Sequence, residues 1–286
     1  MADAVPGPSG LGRRARRLSD RETADRMLSA ALEMINRTGL TVSLDHLSLE
    51  DVIREAGVAR SAVYRRWPYK DLFFSDVVAE LAKAAIPGAA ANEAIVGLIQ
   101  RVVAERADDL SSPEGRHGLL VELIRQTALA DFDALYGSAQ WRTYLALHAT
   151  FLSLGDGDLR ERVQETLRQS EQGFVDRVAA SWQHITELFG YRLRPGYGTS
   201  FATVATMASA TLRGLILMGL STPDIAERRT AARPFGATRQ ADWSVPALGL
   251  AGVASSFLEP DPGVTWDAER IDATRRAMAS LTVPTP

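Results

Sequence analysis

Between residues 59 and 70 the chain carries Arg60, Arg65, Arg66 and Lys70 and no acid. The guanidinium of Arg60 is a planar fork of donors that matches guanine O6 and N7, a contact that discriminates between bases by about 1–3 kcal/mol. The Tyr64 hydroxyl, Arg65 and the Lys70 ammonium can donate to phosphate oxygens. Ser61 and Ala62 are small enough to let a backbone come close, and the Ala62 methyl can touch a thymine methyl. Side chains of these types on one short helix suit the major groove of duplex DNA.

A helix of this kind must be braced by a partner helix that crosses the DNA backbone. The preceding residues supply one. Ser48 followed by Asp51 is a helix start signal, and Ser48 is also counted among the DNA-contacting residues. The spacing predicts a helix over 49–56 with Val52 and Ile53 facing inward, then a turn at Gly57, where the missing Cβ permits a left-handed backbone. A second helix is expected over about 59–67. Pro68 ends it, because a residue before proline is pushed out of the helical region. Val58, Val63 and Trp67 are expected to pack against the earlier helices.

Upstream, Ser19-Asp20-Arg21-Glu22 is a capping box. Met27, Leu28, Ala31, Leu32 and Ile35 then recur at helical spacing, and Gly39 closes that helix. Downstream, Tyr69 and Lys70 open a fourth helix reaching about residue 85, where Ile86-Pro87-Gly88 breaks it. Lys70 is thereby expected at a helix N-terminus, whose N–H groups favour an anion.

On these residues the chain resembles the tetracycline-repressor (TetR) family of transcriptional regulators. The likeness is carried by Leu49-x-x-Val52-x-x-x-Ala56-Gly57-Val58 and by Tyr64-x-x-Trp67-Pro68-x-Lys70-x-x-Phe73. The family has a Tyr, an aromatic, Pro, a variable residue and Lys at the same spacing, and the resemblance covers about residues 20–80. It implies an all-α homodimer with an N-terminal three-helix helix-turn-helix domain and a C-terminal effector-binding and dimerisation domain. It further implies that ligand binding releases the operator, which is expected to be palindromic. The mechanism expected for this chain is a population shift in which the ligand moves the fourth helix and changes the separation of the reading helices. The chain departs from the pattern in three places. Ala59 opens the reading helix where Ser or Thr is frequent and cannot cap it; Ala62 replaces a small polar residue; Arg66 stands where an aromatic or His is frequent. The stretch from Gly39 to Ser48 and the C-terminal part are both longer than is usual in the family.

Three segments are expected: residues 1–18 as a disordered basic arm, 19–85 as the DNA-binding domain and 86–286 as the ligand-binding and dimerisation domain. Arg13, Arg14, Arg16 and Arg17 at the end of the arm could reach a minor groove or hold phosphates. The net charge of -3 is unevenly spread: residues 12–85 carry 13 Lys/Arg against 11 Asp/Glu, whereas residues 86–286 carry 19 against 23. The basic excess is thus confined to the segment expected to meet DNA. The chain has no cysteine, which excludes disulfides and thiolate metal sites. Its N-terminus lacks an apolar signal region. The longest apolar stretch, 212–220, is interrupted by Arg213 and is too short for a bilayer. A cytoplasmic protein without a membrane partner is expected.

Residues 86–286 read as helices over about 93–110, 114–130, 132–154, 158–189, 199–220, 245–258 and 266–281, with a Pro/Gly loop at 191–198 and no strand alternation. The Arg-rich connection 221–244 is unusually long for a compact domain and is expected to be functional or disordered. Trp141, Tyr144, His148 and Phe151 lie on neighbouring turns of one helix, and Phe174 and Trp182 on the next. As a group they are the candidate wall of an apolar effector pocket; taken singly, each is equally at home in a core. The helices over 199–220 and 245–258 are apolar nearly all round and contain Gly214, Gly219, Gly249 and Gly252, which suits a four-helix interface between two subunits.

Neither a cofactor nor a metal is expected. Asp156-Gly157-Asp158 lacks the further ligands of a calcium loop, Asp158 reads as a helix cap, and His117, His148 and His184 match no metal-ligand spacing. There is no nucleophile elbow, phosphate loop or zinc motif, so catalysis is not expected. The rival reading is a helical small-molecule-binding protein, or an enzyme, that does not bind an operator.

Overall fold

The computed structural model describes residues 18–38, 47–84 and 92–282. The basic arm, Gly39 and the break at 86–88 lie outside the described residues. Within them the fold is all-α in character, with four short strands, and it forms two compact units, Met1–Glu80 and Leu81–Pro286.

The first unit contains α1 (Asp20–Thr38), α2 (Leu49–Ala56), α3 (Arg60–Arg66) and most of α4 (Lys70–Ala84). The capping box at its start is made in both directions: Glu22 N–H donates to Ser19 Oγ at 3.1 Å, and Ser19 N–H donates to the Glu22 carboxylate at 2.8 Å. Two N–H groups that a helix start would otherwise leave without acceptors are satisfied in this way. Met27, Ala31 and Ile35 of α1, Leu49, Val52 and Ile53 of α2, Val58, and Val63 of α3 are all buried. Gly57 ends α2 with φ 62° and ψ 34°, a backbone that would cost any residue with a Cβ about 1–2 kcal/mol.

The second unit begins with α5 (Asn92–Glu105), a 3-10 turn over Ala107–Ser111, α6 (Pro113–Tyr136), α7 (Ala139–Leu152) and α8 (Asp158–Leu188). Then come β1 (Tyr191–Leu193), α9 (Phe201–Ser221), the single turn α10 (Asp224–Glu227), β2 (Arg229–Ala232), β3 (Ala241–Ser244), α11 (Val245–Phe257), β4 (Leu258–Pro260) and α12 (Ala268–Ala279). α6 is the axis. Leu119, Leu120 and Leu123 face α5, α11 and α12; Val121 and Ala128 face β3 and α11; Phe132 and Leu135 face α7 and α9. α9 and α11 approach closely at Gly249, where a Cβ would stand 2.7 Å from Thr211 Cγ2.

Several expectations from sequence are corrected here. The helix expected over 93–110 ends at Glu105 and tightens into the 3-10 turn. The break expected near residue 131 is not made: Asp131 and Asp133 lie inside α6, and the chain turns at Gly137 instead, with Ser138 capping α7 at 3.2 Å from Trp141 N. Asp158 is the first residue of α8 rather than its cap, a position where its charge favours the helix dipole. The stretch 191–198 and the connection 221–244 both contain strands. β1 pairs antiparallel with β4, and β2 with β3. Strands of three or four residues are too short to display an alternation. The β2–β3 hairpin is fastened by His117 of α6, whose Nε2 donates to the Phe235 carbonyl at 2.7 Å while Nδ1 lies 2.5 Å from the Tyr191 hydroxyl.

Burial of Asp131 within the second unit pushes its pKa up to about 6. The folded carboxyl therefore keeps its proton in a range where the unfolded chain, ionising near 4, has lost it, and stability falls as pH rises from about 4 to about 6. Asp131→Asn should raise unfolding stability by about 1–3 kcal/mol at pH 7 and by nothing at pH 3.5. Thermal melts of both proteins across that range would check it; a gain of equal size at both pH values would show that the carboxyl is not the cause.

Candidate functional site

α3 has seven residues and an alanine, Ala59, at its N-cap with no side-chain cap bond, so other contacts must hold it. Trp67 does this from its C-terminal end. Its ring is buried, meets Phe73 of α4 edge-on at 5.1 Å between centroids, and its indole N–H donates to Asp76 at 2.9 Å. Pro68 follows at the kink. With Val58, Val63 and Trp67 turned inward, Arg60, Ser61, Tyr64 and Arg65 are exposed on the opposite side, Ala62 is half-buried, and Lys70 is exposed at the start of α4. Ser48 serves as the cap of α2, its Oγ accepting from Asp51 N–H at 3.4 Å.

The outward face is less positive than its stretch of sequence. Glu50 of α2 forms an ion pair with Arg60 at 2.5 Å and accepts from the Tyr64 hydroxyl at 3.0 Å. Asp20 of α1 pairs with Arg65. Arg66 lies 5.1 Å from the Trp67 ring centroid and Lys70 5.0 Å from that of Phe74, so each cation also rests on an aromatic. Glu50 raises the Tyr64 pKa, first through its hydrogen bond and then through its charge. Neither Glu50 nor Asp20 was among the candidates. Both lie in other helices, Asp20 45 positions from Arg65, and no spacing rule links them to α3. The Arg60–Glu50 and Arg65–Asp20 side chains are solvent-exposed, where an ion pair is worth about 0–1 kcal/mol. An incoming phosphate or base can exchange for the carboxylates at little cost.

In the second unit the six aromatic and imidazole candidates separate. Trp141 and Tyr144 are buried and stacked at 4.8 Å, and His148 lies 4.2 Å from Tyr144 with Nδ1 donating to the Tyr144 carbonyl at 3.0 Å. Phe174 of α8 joins them through a residue absent from the candidates, Arg213 of α9, whose guanidinium lies 4.7 Å from the Phe174 ring centroid, 5.5 Å from that of Tyr144 and 5.7 Å from that of Trp141. Glu171 of α8 completes the cluster, accepting from Arg213 Nη1 at 2.6 Å and from the Tyr144 hydroxyl at 3.0 Å. Burial, before any charge, lifts the Tyr144 phenol well above its ordinary range. The signal for Arg213 was visible as the one charge interrupting an apolar helix. The other two candidates lie elsewhere: Phe151 lies under Arg160 at 4.7 Å, and Trp182 packs with Leu193 and Val204.

Replacing Glu50 by Gln should lower the Tyr64 pKa, because the phenolate no longer faces a carboxylate. Absorbance titration of Glu50→Gln against Glu50→Gln/Tyr64→Phe would isolate that hydroxyl; an unchanged titration would show that the two groups do not meet in solution.

No protein-family model matches the sequence, and no curated protein matches it. Among solved structures the fold is similar to that of a protein assigned as a transcriptional regulator from Rhodococcus sp. RHA1, with 14% identity, 71% of this chain and 89% of that chain covered, and a TM-score of 0.40. It is also similar to a protein assigned as a TetR-family transcriptional regulator from Vibrio parahaemolyticus, with 17% identity, 82% and 98% covered, and a TM-score of 0.39. At such identities no residue's role carries over from either chain.

Proposed function

We propose that this chain is a DNA-binding transcriptional regulator of the TetR type, acting as a homodimer that binds a palindromic operator and is released from it by a small molecule. The observation that carries the reading is the helix-turn-helix of α2, Gly57 and α3. α3 is fixed from within by Val63 and Trp67, and it turns Arg60, Ser61, Tyr64 and Arg65 outward. In this reading Arg60 contacts base edges, with Ser61 and Ala62 close to the groove floor, while Ser48, Tyr64, Arg65 and Lys70 position the protein on phosphates.

Dimerisation is supported by α9 and α11. Apart from Arg213, which is paired with Glu171, neither helix carries a charge. α9 is 21 residues long and apolar enough by length and composition to cross a membrane, yet only 28% of its most apolar window is buried within the chain. Its outward side presents Met207, Leu217 and Met218, the last two more than half exposed. Of the four glycines on these helices, Gly249 and Gly219 are used inside the subunit, whereas a Cβ added at Gly214 or Gly252 would meet nothing within 4 Å. An uncharged surface with small gaps fits a second copy of itself, and a two-fold axis would set the two α3 helices about 34–36 Å apart, one turn of DNA.

Two measurements test the reading. A mobility-shift assay with the DNA upstream of the chain's own gene should show a complex at low salt. Lys70→Ala should weaken it on every sequence and reduce the salt slope by about one unit, whereas Glu50→Gln should strengthen binding to any duplex several-fold by releasing Arg60 and Tyr64. Absence of a shift at low salt would defeat the DNA-binding reading, and an unchanged slope would remove Lys70 from the phosphate contacts. Separately, Leu217→Glu/Met218→Glu should convert a dimer to a monomer in sedimentation and cut operator affinity by more than about tenfold, with the melting temperature of the subunit retained. A wild-type chain that sediments as a monomer at micromolar concentration would rule out the dimer.

A further inference from the structure

We infer that the Trp141–Tyr144–Arg213–Glu171 cluster recognises a neutral small molecule that carries a carbonyl-type acceptor on an apolar body. This rests on the ligand-responsive reading above and names the chemistry of its site. The starting observation is a pair of buried donors. Trp141 is 3% exposed and its indole Nε1 has no hydrogen-bond acceptor; beside it, Arg213 Nη2 is buried and likewise without one. An indole N–H and a guanidinium N–H can only donate, and buried donors are nearly always satisfied. The two belong to one site, with the guanidinium 5.7 Å from the Trp141 ring centroid.

The other side of the guanidinium decides between a charged and a neutral acceptor. Glu171 already matches the Arg213 charge through Nη1 at 2.6 Å, and it holds the Tyr144 hydroxyl as well. A ligand carboxylate would place a second anion on the same guanidinium in a setting where Arg213 is only 19% exposed, and two carboxylates sharing one site cannot both ionise without a penalty. A ketone, amide, ester or lactone oxygen brings the lone pairs without the charge. Trp141, Tyr144 and Phe174 supply apolar wall, and His148 adds direction: with Nδ1 donating to the Tyr144 carbonyl, a neutral ring offers Nε2 as an acceptor for a ligand donor. Of the cluster's side chains Glu171 is 39% exposed, against 19% for Arg213.

The test uses the full-length protein without DNA, labelled with 15N in its tryptophan side chains, and three probes of similar size: acetophenone with a neutral acceptor, benzoate with a charged one, and ethylbenzene with none. The Trp141 N–H resonance is identified by its loss in Trp141→Phe. Acetophenone should move that resonance downfield and bind about tenfold more tightly than ethylbenzene or benzoate. Trp141→Phe should remove most of the preference for acetophenone over ethylbenzene, and Glu171→Gln, which leaves Arg213 unmatched, should turn the preference toward benzoate. Equal binding of ethylbenzene, stronger binding of benzoate by the unmutated protein, or no movement of the Trp141 resonance with any probe would each overturn the inference. Failure of the regulatory reading looks different: acetophenone would bind at Trp141 while leaving the DNA complex unchanged, whereas a compound that releases DNA without moving Trp141 would sink this inference alone.

Discussion

A seven-residue helix cannot stand alone in water, since the cost of nucleating it is not recovered over so few bonds. α3 therefore depends on its anchor, and the anchor is Trp67. Burying that ring against Phe73 provides apolar area, and giving its N–H to Asp76 removes the penalty of sinking a donor with it. Both partners lie on α4, so the orientation of α3 is set by the helix that follows it as much as by α2 before it. Pro68 makes the sharp exit from α3 that lets Trp67 fold back. The exposed face of α3 owes its place to this inward residue.

The charges of that face illustrate a separation between sequence and space. Along the chain, residues 59–70 hold only cations. In the fold, Glu50 and Asp20 are brought in from α2 and α1 to meet Arg60, Tyr64 and Arg65. Such exposed pairs contribute little to stability. Their effect is on geometry and on competition, since they hold long side chains in one conformation and must be displaced by any anion that binds there. Lys70 and Arg66, by contrast, rest on aromatic rings and keep their charge available.

The second unit solves the opposite problem, a single charge inside an apolar helix. Arg213 interrupts α9, and leaving it unpaired within the unit would be costly. Glu171 from α8 and Tyr144 from α7 converge on it, so three helices are tied together at one polar point. The satisfaction is incomplete at Nη2 and at the neighbouring Trp141 Nε1, so two donors without acceptors remain in the one cluster.

By itself the sequence determined the features whose causes are local. The capping box at Ser19, the Ser48 cap, the left-handed turn at Gly57, the unaided start of α3 at Ala59 and the stop at Pro68 each depend on a few adjacent residues, and all stand where the spacing placed them. The inward set of the first unit was legible for the same reason, because helical periodicity fixes which side chains share a face. Only the tertiary structure decided what depends on residues far apart in the chain. Strands as short as β1 and β4 become strands only through partners far along the chain, such as Arg192 against Glu259. The continuity of α6 across Asp131 and Asp133 is held by packing on both its ends. Trp141, Tyr144, His148 and Phe174 were separated from Phe151 and Trp182 by where Arg213 and Glu171 came to lie. Composition and spacing carry no information about such meetings, since hydrogen bonds and ion pairs are made by atoms that the folded chain brings together.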